Sequence, residues 1–239
     1  MPAKLTEFYR LKYLDFTCYD IIAPHGVLDI FQDIAGKHSD SYGMSFDEMI
    51  SKNLIWVLLR VKYKVVKNIP LYSKINVTTW PRKKGLVDFD RETQICDLNG
   101  NILINGISKW VILDANTRKI VPAKHIDYNA ETSDDTNFDD KFLKVKDFDI
   151  NNLSNYQCKV EFCDTDHNGH TNNAKYASML LNALKLSSHE VIDEFQIDFI
   201  NESRLNDVIN IYYFKEDNCY FAKAMSNDKC IFMSKIILK

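Results

Sequence analysis

The chain has 239 residues, 30 Lys and Arg against 33 Asp and Glu, a net charge of −3 and 46% hydrophobic residues. With 26% charged residues and only seven Gly and five Pro beside that hydrophobic share, the composition lies close to the average for soluble globular proteins and excludes collagen-like, coiled-coil and disordered classes. The near-balanced charge argues against a general nucleic-acid or anionic-membrane binder, and no apolar run reaches the eighteen or so residues of a membrane span.

Residues 1–10 interleave Lys4, Glu7 and Arg10 with polar groups and contain no apolar signal-peptide core, so a cytoplasmic protein is expected. In that compartment the six cysteines are expected to remain thiols, without disulfides.

In chain order, residues 11–18 read as a strand, and Val27, Ile30, Phe31 and Ile34 recur at helical spacing over 27–42. Ser45 with Glu48 three residues later forms a capping box for a short helix over 46–52. Strands are predicted over 54–67, 74–80, 86–96 and 102–114, the last two joined by a hairpin turn at Asn99-Gly100.

After a polar crossover beginning near 130–140, the pattern restarts: a strand over 157–163, a helix over 173–186, then strands over 190–200, 206–214, 219–224 and 230–238. Lys175, Ser178, Asn182 and Lys185 form one narrow polar stripe on that second helix, so most of its circumference is expected to be buried.

Sliding the halves at 166 − 20 = 146 residues superposes Phe16 on Phe162, Asp20 on Asp166, Ile30 on Tyr176 and Ile34 on Leu180. The expected architecture is α+β and duplicated, each unit a sheet wrapped on one helix. The expected domains are 1–130 and 156–239, joined by a linker over 131–155.

The densest polar cluster, Cys163 to Asn173, lies between a strand and the buried helix. Extended, it would point Asp166, Asn168 and His170 the same way at a helix N-terminus, with Asn172 or Asn173 as its cap. Asp164-x-Asp166-x-Asn168-Gly169 matches the opening of a calcium-binding EF-hand loop, but Lys175 stands where that loop needs a bidentate Glu. Zinc through Cys158, Cys163, His167 and His170 fits no common finger spacing, and a regular strand sends the two cysteines to opposite faces.

A third reading is a metal-free acyl-handling site. The run Asp164-Thr165-Asp166-His167-Asn168-Gly169-His170-Thr171-Asn172-Asn173-Ala174-Lys175-Tyr176 resembles the D-x-D-x-N-x-H-V-N-N-x-K-Y signature of acyl-acyl carrier protein thioesterases. Phe199-Ile200-Asn201-Glu202-Ser203 stands where that family has Y-x-x-E-C. Further landmarks resemble the family in order at Trp56-Val57-Leu58-Leu59-Arg60, Thr79-Trp80-Pro81 and Lys109-Trp110-Val111.

The resemblance implies a double hotdog fold, in which two antiparallel sheets each curl around a central helix. It implies hydrolysis of fatty acyl-acyl carrier protein, with no metal or organic cofactor and with acyl carrier protein as the partner. The implied catalytic set is Asp166, Asn168, His170 and Glu202, with Glu202 as general base or as nucleophile. An acyl-coenzyme A thioesterase and a non-catalytic acyl-binding or sensing protein are the rival functions.

Thr171 replaces the family's Val, and Ser203 its Cys, so a thiol nucleophile is not expected there, and Cys163 is expected to be a small buried residue. At the 146 offset Asn168 and His170 fall on Ile22 and Pro24, and an offset of 133 places Glu202 on Ile69, so one active site is expected, in the C-terminal half. Ile30, Phe31, Ile34 and Trp56 are candidates for the acyl pocket. Arg82-Lys83-Lys84, Arg118-Lys119 and the alternating Arg60, Lys62 and Lys64 are candidates for carrier docking, a solvated strand face being the plainer reading of the last. The paired halves suit a monomer or a homodimer.

Overall fold

The computed structural model describes residues 3–239. The first half forms β1 (Leu5–Arg10), α1 (Pro24–Ser41), α2 (Phe46–Ser51), β2 (Leu54–Val65), β3 (Lys74–Pro81), β4 (Asp88–Cys96) and β5 (Ile102–Asp114). The second forms β6 (Asn155–Lys159), α3 (Asn173–Leu184), β7 (Ile192–Phe199), β8 (Val208–Glu216), β9 (Cys219–Ser226) and β10 (Lys229–Leu238). One antiparallel sheet runs β1-β3-β4-β5-β2-β7-β10-β9-β8-β6. Matching β1 to β6, β3 to β8, β4 to β9, β5 to β10 and β2 to β7 makes this order read the same from either end. That is the double hotdog the sequence implied. None of the described helices is long and apolar enough to cross a membrane.

Each helix is made by its apolar spacing. α1 starts with Pro24 in its first turn and buries Val27, Leu28, Ile30, Phe31 and Ile34; α3 buries Tyr176, Ala177, Leu180 and Leu184. Both belong to one core that crosses the β2–β7 seam, where the paired residues Tyr63 and Phe195 stack at 5.3 Å between ring centroids. α1 lies so close to the sheet that a Cβ on Gly106 of β5 would fall 2.2 Å from the Phe31 ring.

Two expected strands are displaced. Residues 11–18 are not a strand: β1 precedes them, and a tight turn at Tyr13–Asp15 is closed by the Lys12 N–H donating to Asp15 Oδ2 at 2.6 Å. The second half repeats this, with β6 ending at Lys159 and the Glu161 N–H donating to Asp164 Oδ2 at 2.9 Å. Both strands are sheet edges, half-exposed on one face, and Glu7 sits on the inner side of β1, which weakens the alternation a strand shows in sequence.

The internal repeat is real but its register is 149 rather than 146. α3 begins at Asn173 and α1 at Pro24 (173 − 24 = 149), and the bond Asn172 N–H to Asp164 O repeats Ala23 N–H to Asp15 O. The bridge Thr165–Thr171 likewise repeats Phe16–Ile22. Three residues is nearly one helical turn, so the apolar positions of α1 and α3 coincide in either register and only the turns distinguish them. Beyond the helices the offset becomes 134, since Val160 N–H to Asp207 O repeats Leu11 N–H to Ser73 O (207 − 73 = 134). The first half carries the extra residues in α2 and in an α1 of 18 residues against 12 in α3.

The segment after β5 crosses the outer face of the sheet, and it corrects the reading of the Arg60, Lys62 and Lys64 stripe. Arg60 (5% exposed) and Lys62 (6%) lie beneath the crossover. Arg60 donates to Asp198 Oδ1 at 2.8 Å and to Phe142 O, while Lys62 pairs with Asp140 at 2.9 Å and Glu194 at 3.4 Å. Only Lys64 is exposed, so two of the three are neither docking nor solvated charges.

Glu92, fully buried beside the same crossover, has its carboxyl pushed up to about 7 by burial, which outweighs the Asn137 N–H bond and the Arg82 charge. An acid raised in the folded state stabilises most below its unfolded value near 4.5 and loses that contribution as pH rises through about 7. Glu92→Gln is therefore expected to gain about 1–3 kcal/mol relative to wild type between pH 5 and pH 8. Denaturant unfolding at both pH values checks this; a pH-independent difference would contradict it.

Candidate functional site

The polar loop after β6 is a tight turn rather than an extended run, so spacing two does not set where Asp166, Asn168 and His170 point. Asp166 N–H donates to His170 O at 2.8 Å, Gly169 N–H donates to Asp166 O at 3.0 Å, and Gly169 takes φ +72° to close the turn. Asp166 Oδ1 accepts from the backbone N–H of Asn168 at 2.8 Å and of His170 at 3.3 Å. Its carboxylate therefore shapes the loop. Asn168 is exposed at the tip, and its side-chain amide has no hydrogen bond to another described residue.

His170 is turned towards Glu202, which follows β7. Its Nε2 lies 3.1 Å from Glu202 Oε2, and Glu202 Oε1 is ion-paired with Arg118 Nη2 from the first half. Arg204 Nη2 also stands 3.0 Å from His170 Nε2. One ring nitrogen cannot serve both: carrying a proton it donates to Glu202, and without one it accepts from Arg204.

Of the four residues implied by the resemblance, His170 and Glu202 are in direct contact, Asp166 holds the loop, and Asn168 flanks them on the rim of one cavity. At the structural offsets their first-half counterparts are Thr17, Tyr19, Ile21 and Asn68, in place of the Asp20, Ile22, Pro24 and Ile69 expected. The first half thus presents neither a carboxylate nor an imidazole at these positions.

Asn172 caps α3, its Oδ1 accepting from Ala174 N–H at 2.8 Å and its carbonyl from Lys175 N–H at 2.9 Å, so those helix N–H groups are already used. Asn173 Nδ2 reaches across to Gln32 Oε1 on α1 at 3.3 Å.

Ser203 has no access to substrate. It is 0% exposed, its Oγ 2.7 Å from Thr171 Oγ1 and 2.9 Å from the Tyr176 hydroxyl, which also accepts from Ser203 N–H. Ser203→Ala is expected to cost about 1–2 kcal/mol of stability while leaving kcat within a few-fold, measured by denaturant unfolding and steady-state turnover. A collapse of kcat in a folded Ala protein would contradict this.

Cys163, expected to be buried, is exposed, because residues 162–164 form a turn over the surface rather than a strand. Asp164 is spent on the Glu161 N–H and faces Lys175 Nζ at 3.9 Å, and the His167 ring packs on Phe46 at 4.7 Å. The Cys, His, Asp and Glu side chains form no metal-ligating group among the described residues.

The cavity measures about 1090 Å³ and is built mostly from the first half: α1, α2, β2, β4 and β5 supply walls such as Met49, Trp56 and Phe89, the segment after β5 adds Tyr128, and the second half supplies the rim. Of the pocket candidates only Trp56 lines it; Ile30, Phe31 and Ile34 face the core, and α1 presents Ala35, Gly36 and Ser39 instead. Nothing in the sequence pattern marks α2 and Tyr128 as walls, and in sequence Arg118 reads only as a docking residue. Helical spacing did mark which α1 face is buried, though not that a neighbouring face borders a cavity.

Residues 3–127 match the family model described as Acyl-ACP thioesterase N-terminal domain, and residues 148–239 match Acyl-ACP thioesterase C-terminal domain. An acyl-[acyl-carrier-protein] hydrolase, chloroplastic, of Cuphea viscosissima is 28% identical over 175 residues, which is 66% of this chain and 41% of that protein. A palmitoyl-acyl carrier protein thioesterase, chloroplastic, of Arabidopsis thaliana is 30% identical over 62% of this chain and 37% of its own length. The chain thus spans about two fifths of the length of these curated relatives. Among solved structures, an acyl-ACP thioesterase from Bacteroides thetaiotaomicron superposes with a TM-score of 0.89 at 19% identity, covering 99% of this chain and 98% of that one. The 12:0-ACP thioesterase from Umbellularia californica gives 0.85 at 17% identity, covering 100% and 98%.

Proposed function

The chain belongs to the acyl-ACP thioesterase family, and on that premise we propose that it hydrolyses the thioester of a fatty acyl chain carried on acyl carrier protein. The observation that carries this reading is the contact between His170 and Glu202 on the rim of a cavity whose mixed walls include Met49, Trp56, Phe89 and Tyr128 beside polar groups such as Asp90 and Arg91. A carboxylate and an imidazole sharing a hydrogen bond at the mouth of a pocket with aromatic and aliphatic wall residues suit an acyl chain whose reacting carbon stays at the rim.

Glu202 takes a proton from water, and the resulting hydroxide attacks the thioester carbonyl. The Asn168 amide, which has no other hydrogen bond among the described residues, is our candidate donor for the oxyanion, the Ala174 and Lys175 N–H groups being already held by Asn172. When the tetrahedral intermediate collapses, the C–S bond breaks and His170 protonates the departing thiolate. Glu202 then passes its proton to His170 through their 3.1 Å contact, restoring both groups. Water and thioester become carboxylic acid and thiol. Both Glu202 oxygens are already engaged, by His170 and Arg118, which favours proton transfer over attack by the carboxylate itself.

The test is release of free thiol and fatty acid from a panel of acyl-acyl carrier proteins of graded chain length, beside the matching acyl-coenzyme A esters. Equimolar acid and thiol, with kcat/KM higher for the carrier-protein esters, supports the reading. Hydrolysis confined to coenzyme A esters would replace the carrier, and acyl binding without release of either product would replace catalysis by sensing.

A further inference from the structure

We propose that Arg118 is a positioning residue for Glu202, so that the first half supplies part of the catalytic centre as well as the acyl pocket. This rests on the assignment of Glu202 as the base. Arg118 sits in the turn after β5, and its guanidinium crosses to Glu202 Oε1 in the other half while His170 holds Oε2. One partner from each half thereby fixes both oxygens of the carboxylate.

The turn itself points to a dedicated purpose. Arg118 adopts φ +57°, a left-handed conformation that costs a non-glycine residue about 1 kcal/mol or more. Asp114 holds it there: Oδ1 accepts from Asn116 N–H at 3.1 Å, from Thr117 N–H at 2.7 Å and from Thr117 Oγ1 at 2.9 Å. Oδ2 accepts from Asn53 Nδ2 at 2.9 Å, and the Asp114 carbonyl accepts from Arg118 N–H at 2.9 Å. The bonds from Thr117, Asn116 and Asn53 hold the Asp114 carboxyl below the usual carboxylate range.

Stability does not account for the arrangement. The Arg118 and Glu202 side chains are 43% and 41% exposed, and an ion pair so open to water contributes little to folding. What it fixes is direction: with Oε1 tied to Arg118, Oε2 faces His170. Released, the carboxylate would sample other rotamers, and a displacement near 1 Å at a reacting group lowers turnover by about 10²-fold.

The experiment uses an acyl-N-acetylcysteamine thioester, which lacks the phosphate and the acidic carrier, so a loss of docking cannot register. Arg118→Ala is expected to unfold at the wild-type temperature and to lower kcat on this substrate by about 10–100-fold with KM within about three-fold. Arg118→Lys, or guanidinium added to Arg118→Ala, is expected to restore part of the rate. Wild-type kcat in Arg118→Ala, with Glu202→Gln inactive, overturns the positioning role and leaves the base assignment standing. Wild-type kcat in both variants overturns the base assignment, and the positioning role with it.

Discussion

Glu202→Gln is expected to lower kcat on acyl-acyl carrier protein by about 10³-fold, close to 4 kcal/mol of transition-state stabilisation, with little change in stability. The amide is nearly isosteric and its oxygen still accepts from Arg118, so the rim keeps its shape. It cannot take a proton from water. The contact with His170 Nε2, 3.1 Å in the wild type, no longer leads to a group that can hold or return a proton. Steady-state thiol release with the unfolding temperature measured in parallel checks the prediction, and a Gln protein retaining a tenth or more of the wild-type rate would remove Glu202 from the chemistry.

Phe195→Ala is the largest stability change expected, about 3–5 kcal/mol, a substantial part of what holds a typical domain folded. Phe195 is 0% exposed and stacks on Tyr63 across the seam between β2 and β7, in a core continuous through both halves. Removing the ring leaves a cavity where the halves meet, and Tyr63 loses its stacking partner. The two halves are therefore expected to unfold in one cooperative transition at lower denaturant. Two separated transitions, with only the second half destabilised, would show that the halves do not share a core.

What the sequence disclosed was local. The 3.6-residue spacing located α1 and α3, Ser45 and Glu48 located the start of α2, and Asn99-Gly100 located the β4–β5 turn, because each signal lies within a few residues of its effect. The His-Asn-Asn run disclosed the loop that carries His170. Non-local partners were not legible. Arg60 read as a surface charge because its carboxylate, Asp198, lies 138 residues away, and Arg118 read as a docking residue because Glu202 lies 84 residues away. The repeat was visible while its register was not, since helices tolerate a three-residue slip and the edge strands β1 and β6 carry too weak an alternation to correct it.

The central claim is that His170 and Glu202 act as one proton-relay unit at the mouth of a pocket supplied mainly by the other half. It is tested most directly by kcat/KM for acyl-acyl carrier protein in His170→Ala, Glu202→Gln and the double variant, each shown to be folded. Groups acting as a unit give losses that do not multiply, so the double variant is predicted to be about as slow as the slower single one. Losses that multiply in full, or either single variant turning over at the wild-type rate, would contradict the account.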